Sequence, residues 1–327
     1  MIKKLIPITL LVGLAAYFVG VPAGEAAKLP SKGFVTYSEG DTDQRTLYLR
    51  RMVNNELQAP ELITAKGAGG DIMGTISFDG RWLAFARNIA PAGPANARDG
   101  QWKGFENEDY HKFHAWDIYV VRLDGQLPAE PQRVGHGYWP SWGSDSTGES
   151  KTLYYGNYEN GQIMRASVDD SGVVEAEQVH SEIPDWEAGD HHMQASPDGS
   201  MVAIRIGNHM WLKGLAGNST NERLGPGCHP SWMADSQWLY QANTQLWHVT
   251  LGNSSGRQGG AYHFGSSVDQ KWAITISDFD DNAQNRGWPL KVYAIDDSRQ
   301  KISLERAPSA DVSEHGSWPD IHTLSTL

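Results

Sequence analysis

The feature that most limits what this chain can become is a segment that keeps returning. "MGTISFDGRWLAFAR", "WPSWGSDSTGESKTLYYGN", "HMQASPDGSMVAIRI", "HPSWMADSQWLYQAN", "HFGSSVDQKWAITIS" and "HGSWPDIHTL" each carry a small polar or aromatic pair and then an aspartate. All but the last run on through a turn into an apolar strand. The marker aspartates Asp79, Asp145, Asp198, Asp235, Asp269 and Asp320 stand 66, 53, 37, 34 and 51 residues apart. A noisy period of about 48 residues is that of a four-stranded sheet repeated as a propeller blade.

Between the markers lie further strand patterns, "DIYVVRLDG", "QIMRASVDD", "HMWLKGLAG", "QLWHVTLG" and "LKVYAIDD", each alternating or aromatic and ending in Gly, Asp or Asn turn chemistry. A marker strand, its apolar partner, this third strand and a short fourth one make a blade. The last marker arrives with almost no chain left, while "GFVTYSEG", "TLYLRRM" and "ELIT" near the N-terminus lack a marker strand of their own. The two ends are therefore expected to complete one blade together, closing the ring and removing free sheet edges. The expected fold is all-β, a six-bladed β-propeller of four-stranded blades closed by pairing of N- and C-terminal strands. The 35 Gly, 13 Trp and 12 Tyr fit many short strands joined by turns.

A net charge of −12, with no cluster of Lys and Arg, argues against a nucleic-acid surface, which needs basic groups on phosphates. The single cysteine, Cys228, permits no intrachain disulfide, so metal ligands would have to come from His, Gln, Asp or Glu. Cys228 itself reads as a small buried residue rather than a nucleophile. At the N-terminus, Lys3 and Lys4 precede an apolar run and then small residues, which reads as an export signal over residues 1–27. An uncleaved anchor is the alternative; no cysteine follows the run, so a lipoprotein anchor is excluded. Residues 28–327 are then one propeller domain, expected to be a monomer in the periplasm or outside the cell, with no membrane span once the signal is removed.

Aligning the blades on the marker aspartate turns histidine richness into a statement about position. Six residues before it stand Met73, Trp139, His192, His229 and His263, and in the last blade His315 stands five before. Gln194 and Ser231, four before, share the strand face by two-residue alternation. Imidazoles from neighbouring blades, with Gln194 beside them, are the donors that Mn²⁺, Zn²⁺ or Fe²⁺ would take, leaving a position open for a substrate carboxylate. The alternative is that each histidine opens an inner strand and bonds a neighbouring blade's loop. Trp139 and His191 are further candidates for contact with a substrate or partner.

The longest insertion, residues 88–117, brings Glu106, Glu108, Asp109, His111 and His114, and is expected either to cap the channel or form a partner surface, or else to be a solvated excursion. Residues 277–288 offer Asp278, Asp280, Asp281 and Asn282 to Ca²⁺ but lack the full spacing of a calcium loop, so calcium is not expected. Trp186, Glu187 and Trp288 read as blade packing, with stacking on sugar rings the alternative. The chain has no G-x-S-x-G elbow, no Ser-His-Asp order and no phosphate-cradling glycine loop.

"ASPDGSMVAI" and "HPSWMADSQWLYQ" resemble the TolB-like propeller repeat, in which "PSWSPDG" precedes an apolar strand. That resemblance spans nearly the whole chain after the signal and implies the fold; the repeat serves scaffolds, receptors, peptidase gates and lyases alike. A separate N-terminal domain like that of TolB itself is not expected, because repeat strands begin soon after the signal. "GDHHMQASPDGSMVAI" is similar to the segment of oligogalacturonate lyases that carries part of a manganese site of histidines and a glutamine, although the spacing of His191, His192 and Gln194 departs from that pattern. The second resemblance implies a metal that neutralises a uronate carboxylate and a base that removes the α-proton, with Arg205 a candidate base or clamp, or else an ordinary blade-surface arginine. The leading expectation is a binding scaffold for a periplasmic or extracellular protein or an acidic oligosaccharide, using one channel mouth. The alternative is a metal-dependent uronate lyase.

Overall fold

Alternation along each second strand explains why the chain forms a ring rather than a sandwich. In β6 (Trp82–Asn88), Leu83 and Phe85 point one way and Trp82, Ala84 and Ala86 the other, and all five are buried. A strand covered on both faces needs a sheet on either side, which is why "WLAFA", "MVAIRI" and "WAITI" read as near-continuous apolar runs. The computed structural model describes residues 29–40, 45–65, 70–89, 116–144, 151–157, 161–180, 192–207, 209–215, 219–242, 245–250, 253–257, 262–276, 288–294 and 309–323. The signal segment, the body of the long insertion, His191, His111, His114, Asp145 and the acidic stretch after residue 276 lie outside them.

Around the ring, blade 2 is β5 (Asp71–Ile76), β6, β7 (Trp116–Arg122) and β8 (Gln132–His136). Blade 3 is β9 (Tyr138–Ser144), β10 (Lys151–Asn157), β11 (Gln162–Asp169) and β12 (Gly172–His180). Blade 4 is β13 (Met193–Ala195), β14 (Met201–Ile206), β15 (His209–Gly214) and β16 (Asn221–Pro226). Blade 5 is β17 (Cys228–Trp232), β18 (Trp238–Ala242), β19 (Gln245–His248) and β20 (Asn253–Arg257). Blade 6 begins with β21 (Tyr262–Ser266), β22 (Trp272–Ile276) and β23 (Trp288–Ala294), and takes its outer strand from the first half of β24 (Ser309–Thr323).

The second half of β24 is the innermost strand of blade 1, where it pairs with β1 (Lys32–Glu39). β1 pairs in turn with β2 (Thr46–Val53), which carries the short β3 (Glu56–Leu57) and β4 (Glu61–Leu62). The closure runs Gly33↔Thr323, Phe34↔His322, Val35↔Ile321 and Thr36↔Asp320. The expected all-β, six-bladed propeller with shared terminal strands is thus the fold observed, and the described residues contain no helix.

The core is a set of clusters between blades. Leu47, Leu49 and Ile63 of blade 1 meet Leu83, Phe85 and Val121 of blade 2. Ala84, Ile118 and Val120 of blade 2 meet Trp142, Leu153 and Ala166 of blade 3. Val35 and Ile321 of blade 1 meet Ile274, Leu290 and Val292 of blade 6, so the closing strand is held by packing as well as by its ladder.

The marker aspartates cap the turn between first and second strands. Asp79 Oδ1 accepts from Ser77 Oγ at 2.6 Å and Arg81 N at 3.1 Å, Asp198 repeats this with Ser196 and Ser200, and Asp269 with Ser267 and Lys271. Asp320 does not belong to this set. It lies inside β24 opposite Thr36, because the segment that matches "WPSW" (139–142) and "HPSW" (229–232) in register is "WPDI" (318–321). The last marker alignment is therefore corrected by four residues, and with it the place of His315, discussed below.

At Gly33, φ is +152°, and a Cβ would come within 2.5 Å of the His322 carbonyl oxygen and 2.8 Å of Met52 Cε. Gly33→Ala is therefore expected to pry β1 from β24 and lower the unfolding free energy by about 2 kcal/mol. Gly125→Ala, whose Cβ would meet nothing within 4 Å, is the control that leaves denaturant midpoints unchanged.

Candidate functional site

The inner strands β5, β9, β17, β21 and β24 share one irregularity: the pairing with the second strand slips near the strand start, at Ile72/Thr75, Tyr138/Ser141, Cys228/Pro230, Tyr262/Gly265 and Ser317/Asp320. Three residues in these bulges take left-handed backbone, Met73 at φ 58°, Trp139 at 52° and His229 at 49°. Such a conformation costs a non-glycine residue about 1–2 kcal/mol, and here it recurs at one register and turns that side chain into the channel. His192 reaches the same level just ahead of the short β13.

At this end, which we call the head end, the rings pack on one another. Trp139 and His192 have ring centroids 4.1 Å apart, His192 and His229 3.7 Å, and Trp139 and His229 6.1 Å. His192 is 1% and His229 8% exposed, so the two imidazoles are interior, while Trp139 is half-buried. The chain of rings continues through Tyr138 to Trp116, at 5.5 and 5.4 Å. Trp116 pairs with Asn88, so the two anchoring ends of the long insertion stand beside this ring group.

Two imidazoles on one ion with metal–nitrogen bonds near 2.1 Å hold their centroids about 5 Å apart at a tetrahedral angle and about 4.5 Å at an octahedral one. At 3.7 Å, His192 and His229 are packed too closely to share an ion as they stand. Among the described residues no group of three or more His, Cys, Asp and Glu is arranged to hold a metal. β21 carries the backbone of His263 at the same register, while the side chains of His263 and His315 lie outside the described residues. For His315 the register gives a correction: Trp318, not His315, falls in the bulge equivalent to Trp139 and His229, and His315 stands where β24 passes from blade 6 to blade 1.

Two residues further along each inner strand is a middle tier formed by Thr75, Ser141, Gln194, Ser231, Gly265 and Asp320. Three of these stitch one blade to the next by accepting a backbone N–H. Asp320 Oδ2 accepts from Ile76 N at 2.7 Å, Ser141 Oγ from Ala195 N at 2.9 Å and Gln194 Oε1 from Trp232 N at 2.6 Å. Trp142 and Trp232 add bonds in the same direction, each donating its indole N–H at 2.9 Å to a carbonyl of the preceding blade, Thr75 and Gln194 respectively. Gln194 thus has a structural task for its amide oxygen.

Arg205 does not line the channel: its Nε donates to the Gly207 carbonyl at 2.8 Å, and its backbone N–H donates to the His192 carbonyl at 2.8 Å. It supports the ring level from the second strand.

The tiers enclose a cavity of about 140 Å³ to which all six inner strands contribute. Its other end, the turn end, is bordered by the half-buried Phe78, Pro197 and Ala234 and the exposed Val268. His322 also lines it, beside Phe34 with centroids 5.4 Å apart, and burial holds its imidazole below the ordinary value against the pull of Asp79 and Asp269. Asp320 is the carboxyl of the lining. Burial pushes it up to about 6, although amide bonds from Ile76 and Ile321 and the Thr75 hydroxyl favour its ionised form. Reading the repeat by its Trp-Pro and His-Pro pairs, rather than by aspartate alone, is the sequence signal that finds Asp320 in this tier.

The sequence matches no described protein family and no curated protein. Solved structures share the fold. TolB from Acinetobacter baumannii superposes with a TM-score of 0.55 at 12% identity, over 88% of this chain and 66% of that one. This chain therefore spans just under two thirds of that TolB's length. A functionally unknown protein from Desulfotomaculum acetoxidans gives 0.50 at 12% identity, over 90% of both chains. Oligogalacturonate lyase from Vibrio parahaemolyticus gives 0.43 at 14% identity, over 86% of this chain and 79% of that one, a score too low to argue from. At these identities the likeness is one of fold.

A raised carboxyl pKa contributes stability that is fully present below the unfolded value, near 3.9, and lost as pH rises through the folded value of about 6. Relative to Asp320→Asn, the wild-type unfolding free energy is expected to fall by about 2 kcal/mol between pH 4 and pH 7. Denaturant titrations across that range read the slope, and a flat difference would show that the carboxyl is not buried.

Proposed function

We propose that this protein is an exported binding protein that takes its ligand into the central channel through the turn end. The observation that carries the reading is the cavity of about 140 Å³, bounded toward the head end by the packed Trp139, His192 and His229 and lined by residues of all six inner strands. Convergent polar side chains inside an apolar rim are what orient a ligand and drive its burial. The proposed location, periplasmic or secreted, rests on the basic residues and apolar run of the N-terminus. In this reading the insertion 88–117 acts at the opposite, head end, as a surface for a partner protein.

The competing reading is a metal-dependent lyase of acidic oligosaccharides using Mn²⁺, Zn²⁺ or Fe²⁺. What favours it is histidine at one register in three successive blades, His192, His229 and His263; what it requires is that His192 and His229 part by about 1 Å to reach metal-chelating separation.

Two experiments separate these readings. In a thermal-shift panel of small polar and charged metabolites, compounds that stabilise the wild type are expected to lose their effect in Ala234→Trp, which fills the turn end, and to keep it when residues 90–115 are deleted. A ligand at 100 times its Kd adds about 2.7 kcal/mol, well above the resolution of the assay. Shifts that survive Ala234→Trp would move binding out of the channel. A stoichiometric transition metal in the purified protein, lost in His229→Ala, together with unsaturated products from uronate polymers, would replace the binding reading with the lyase.

A further inference from the structure

The middle tier is neutral in five blades, with Thr75, Ser141, Gln194, Ser231 and Gly265, and carries a carboxyl in the sixth. Asp320 Oδ2 faces blade 2, where it accepts from Ile76 N, and Oδ1 faces blade 6, where it would stand 3.0 Å from a Cβ on Gly265. The one blade without a side chain in this tier is thus the neighbour of the one with a charge, and its backbone packs closely against Asp320, where a Cβ would also come within 3.1 Å of the Pro319 carbonyl oxygen. A carboxylate has room for about four hydrogen bonds. Ile76 N, Ile321 N and the Thr75 hydroxyl take three, leaving one for a ligand.

Among the described residues no Lys or Arg lines the cavity, and the other titratable groups there are His192, His229 and His322. Burial disfavours the charged form of the His322 imidazole, and Asp320 is the one carboxyl among the described lining residues. A carboxylate in such a place lacks a counter-charge, and a cation supplies it. The net charge of −12 draws cations toward the molecule as a whole. A cavity of about 140 Å³ is well below the roughly 300–1,000 Å³ of sites for drug-sized ligands, which selects a small molecule over an oligosaccharide. Phe78, Pro197, Ala234 and Val268 at the turn end offer it an apolar wall.

We propose that the channel is a binding site for a small organic ammonium ion, its nitrogen on the Asp320 carboxylate where that residue lines the cavity and its apolar part against Phe78 and Val268. This deepens the channel-binding reading above and rests on it. The N–H donates to the carboxylate, the hydrocarbon is buried at the rim, and protonation of Asp320 expels the ligand.

The test is isothermal titration calorimetry of the full chain with 2-phenylethylammonium and its neutral isostere 2-phenylethanol. At pH 7.5 the ammonium is expected to bind at least tenfold more tightly than the alcohol. Its affinity is expected to fall severalfold at pH 5, and at pH 6 binding releases about half a proton, read as a heat that changes with the buffer's ionisation enthalpy. In Asp320→Asn the two probes bind alike. Should that variant misfold by circular dichroism, Asp320→Ser, which keeps an acceptor for Ile76 N as Ser141 does for Ala195 N, is expected to weaken the ammonium tenfold and spare the alcohol. Equal binding of both probes to the wild type, binding of neither, or a charge preference that survives both substitutions would overturn the proposal. Equal binding that Ala234→Trp abolishes would still leave the channel reading standing, whereas binding indifferent to Ala234→Trp would remove both.

Discussion

Strand β24 is hydrogen-bonded along both of its halves, to β23 over residues 309–316 and to β1 over residues 316–323. One 15-residue segment is therefore the outer strand of blade 6 and the inner strand of blade 1. Each neighbouring pair of blades depends on the others staying in the ring, because every second strand is buried from both sides. Ile321 and Val35, 2% and 0% exposed, sit in the cluster that locks blade 1 to blade 6. If this ladder parts, two faces of two sheets meet water at once, so the closure is the contact on which the remaining interfaces rest.

The ring also decides what the inner strands can do. Six strands around one axis bring their early residues close together, and the bulge turns one side chain of each inward. The backbone of Met73, Trp139 and His229 resists this by about 1–2 kcal/mol each, which the packing of Trp139, His192 and His229 and the stitching bonds of the next tier offset. The result is a channel with unlike ends, buried imidazoles at one and a half-exposed apolar rim at the other.

The repeat made the fold legible. Apolar second strands, Asp-Gly and Asp-Ser turns and complementary chain ends are local signals that agree with one another, and they suffice for blade number and closure. The level shared by Trp139, His192 and His229 was legible too, since equal spacing from the marker aspartate means equal height. What those side chains do at that level was not, because ring packing and metal chelation place the same residues at the same register and differ only by about 1 Å in separation. Asp320 escaped for a different reason. In "SWPD" it mimics the marker, and only the pairing with Thr36 shows that it stands four residues short of a turn. Likewise nothing in the spelling of Gln194 announces that its amide oxygen is bonded to Trp232 N in the next blade.

The chemistry of Asp320 is not explained by its structural duty. Ser141 makes the equivalent bond between blades 3 and 4, accepting from Ala195 N at 2.9 Å, with no charge to bury. A serine at 320 would serve the closing strand in the same way. The carboxylate instead stands where its ionised form is disfavoured enough to move its pKa to about 6. Its neighbour Gly265 forgoes the side chain that Thr75, Ser141, Gln194 and Ser231 supply in the other blades, although glycine in a strand weakens it. The two departures are not of one kind: a Cβ at Gly265 would press within 3.0 Å of Asp320 Oδ1 and 3.1 Å of the Pro319 carbonyl oxygen, so the glycine answers to the close approach of the closing strand, whereas the charge at Asp320 answers to no bond that a serine would not make.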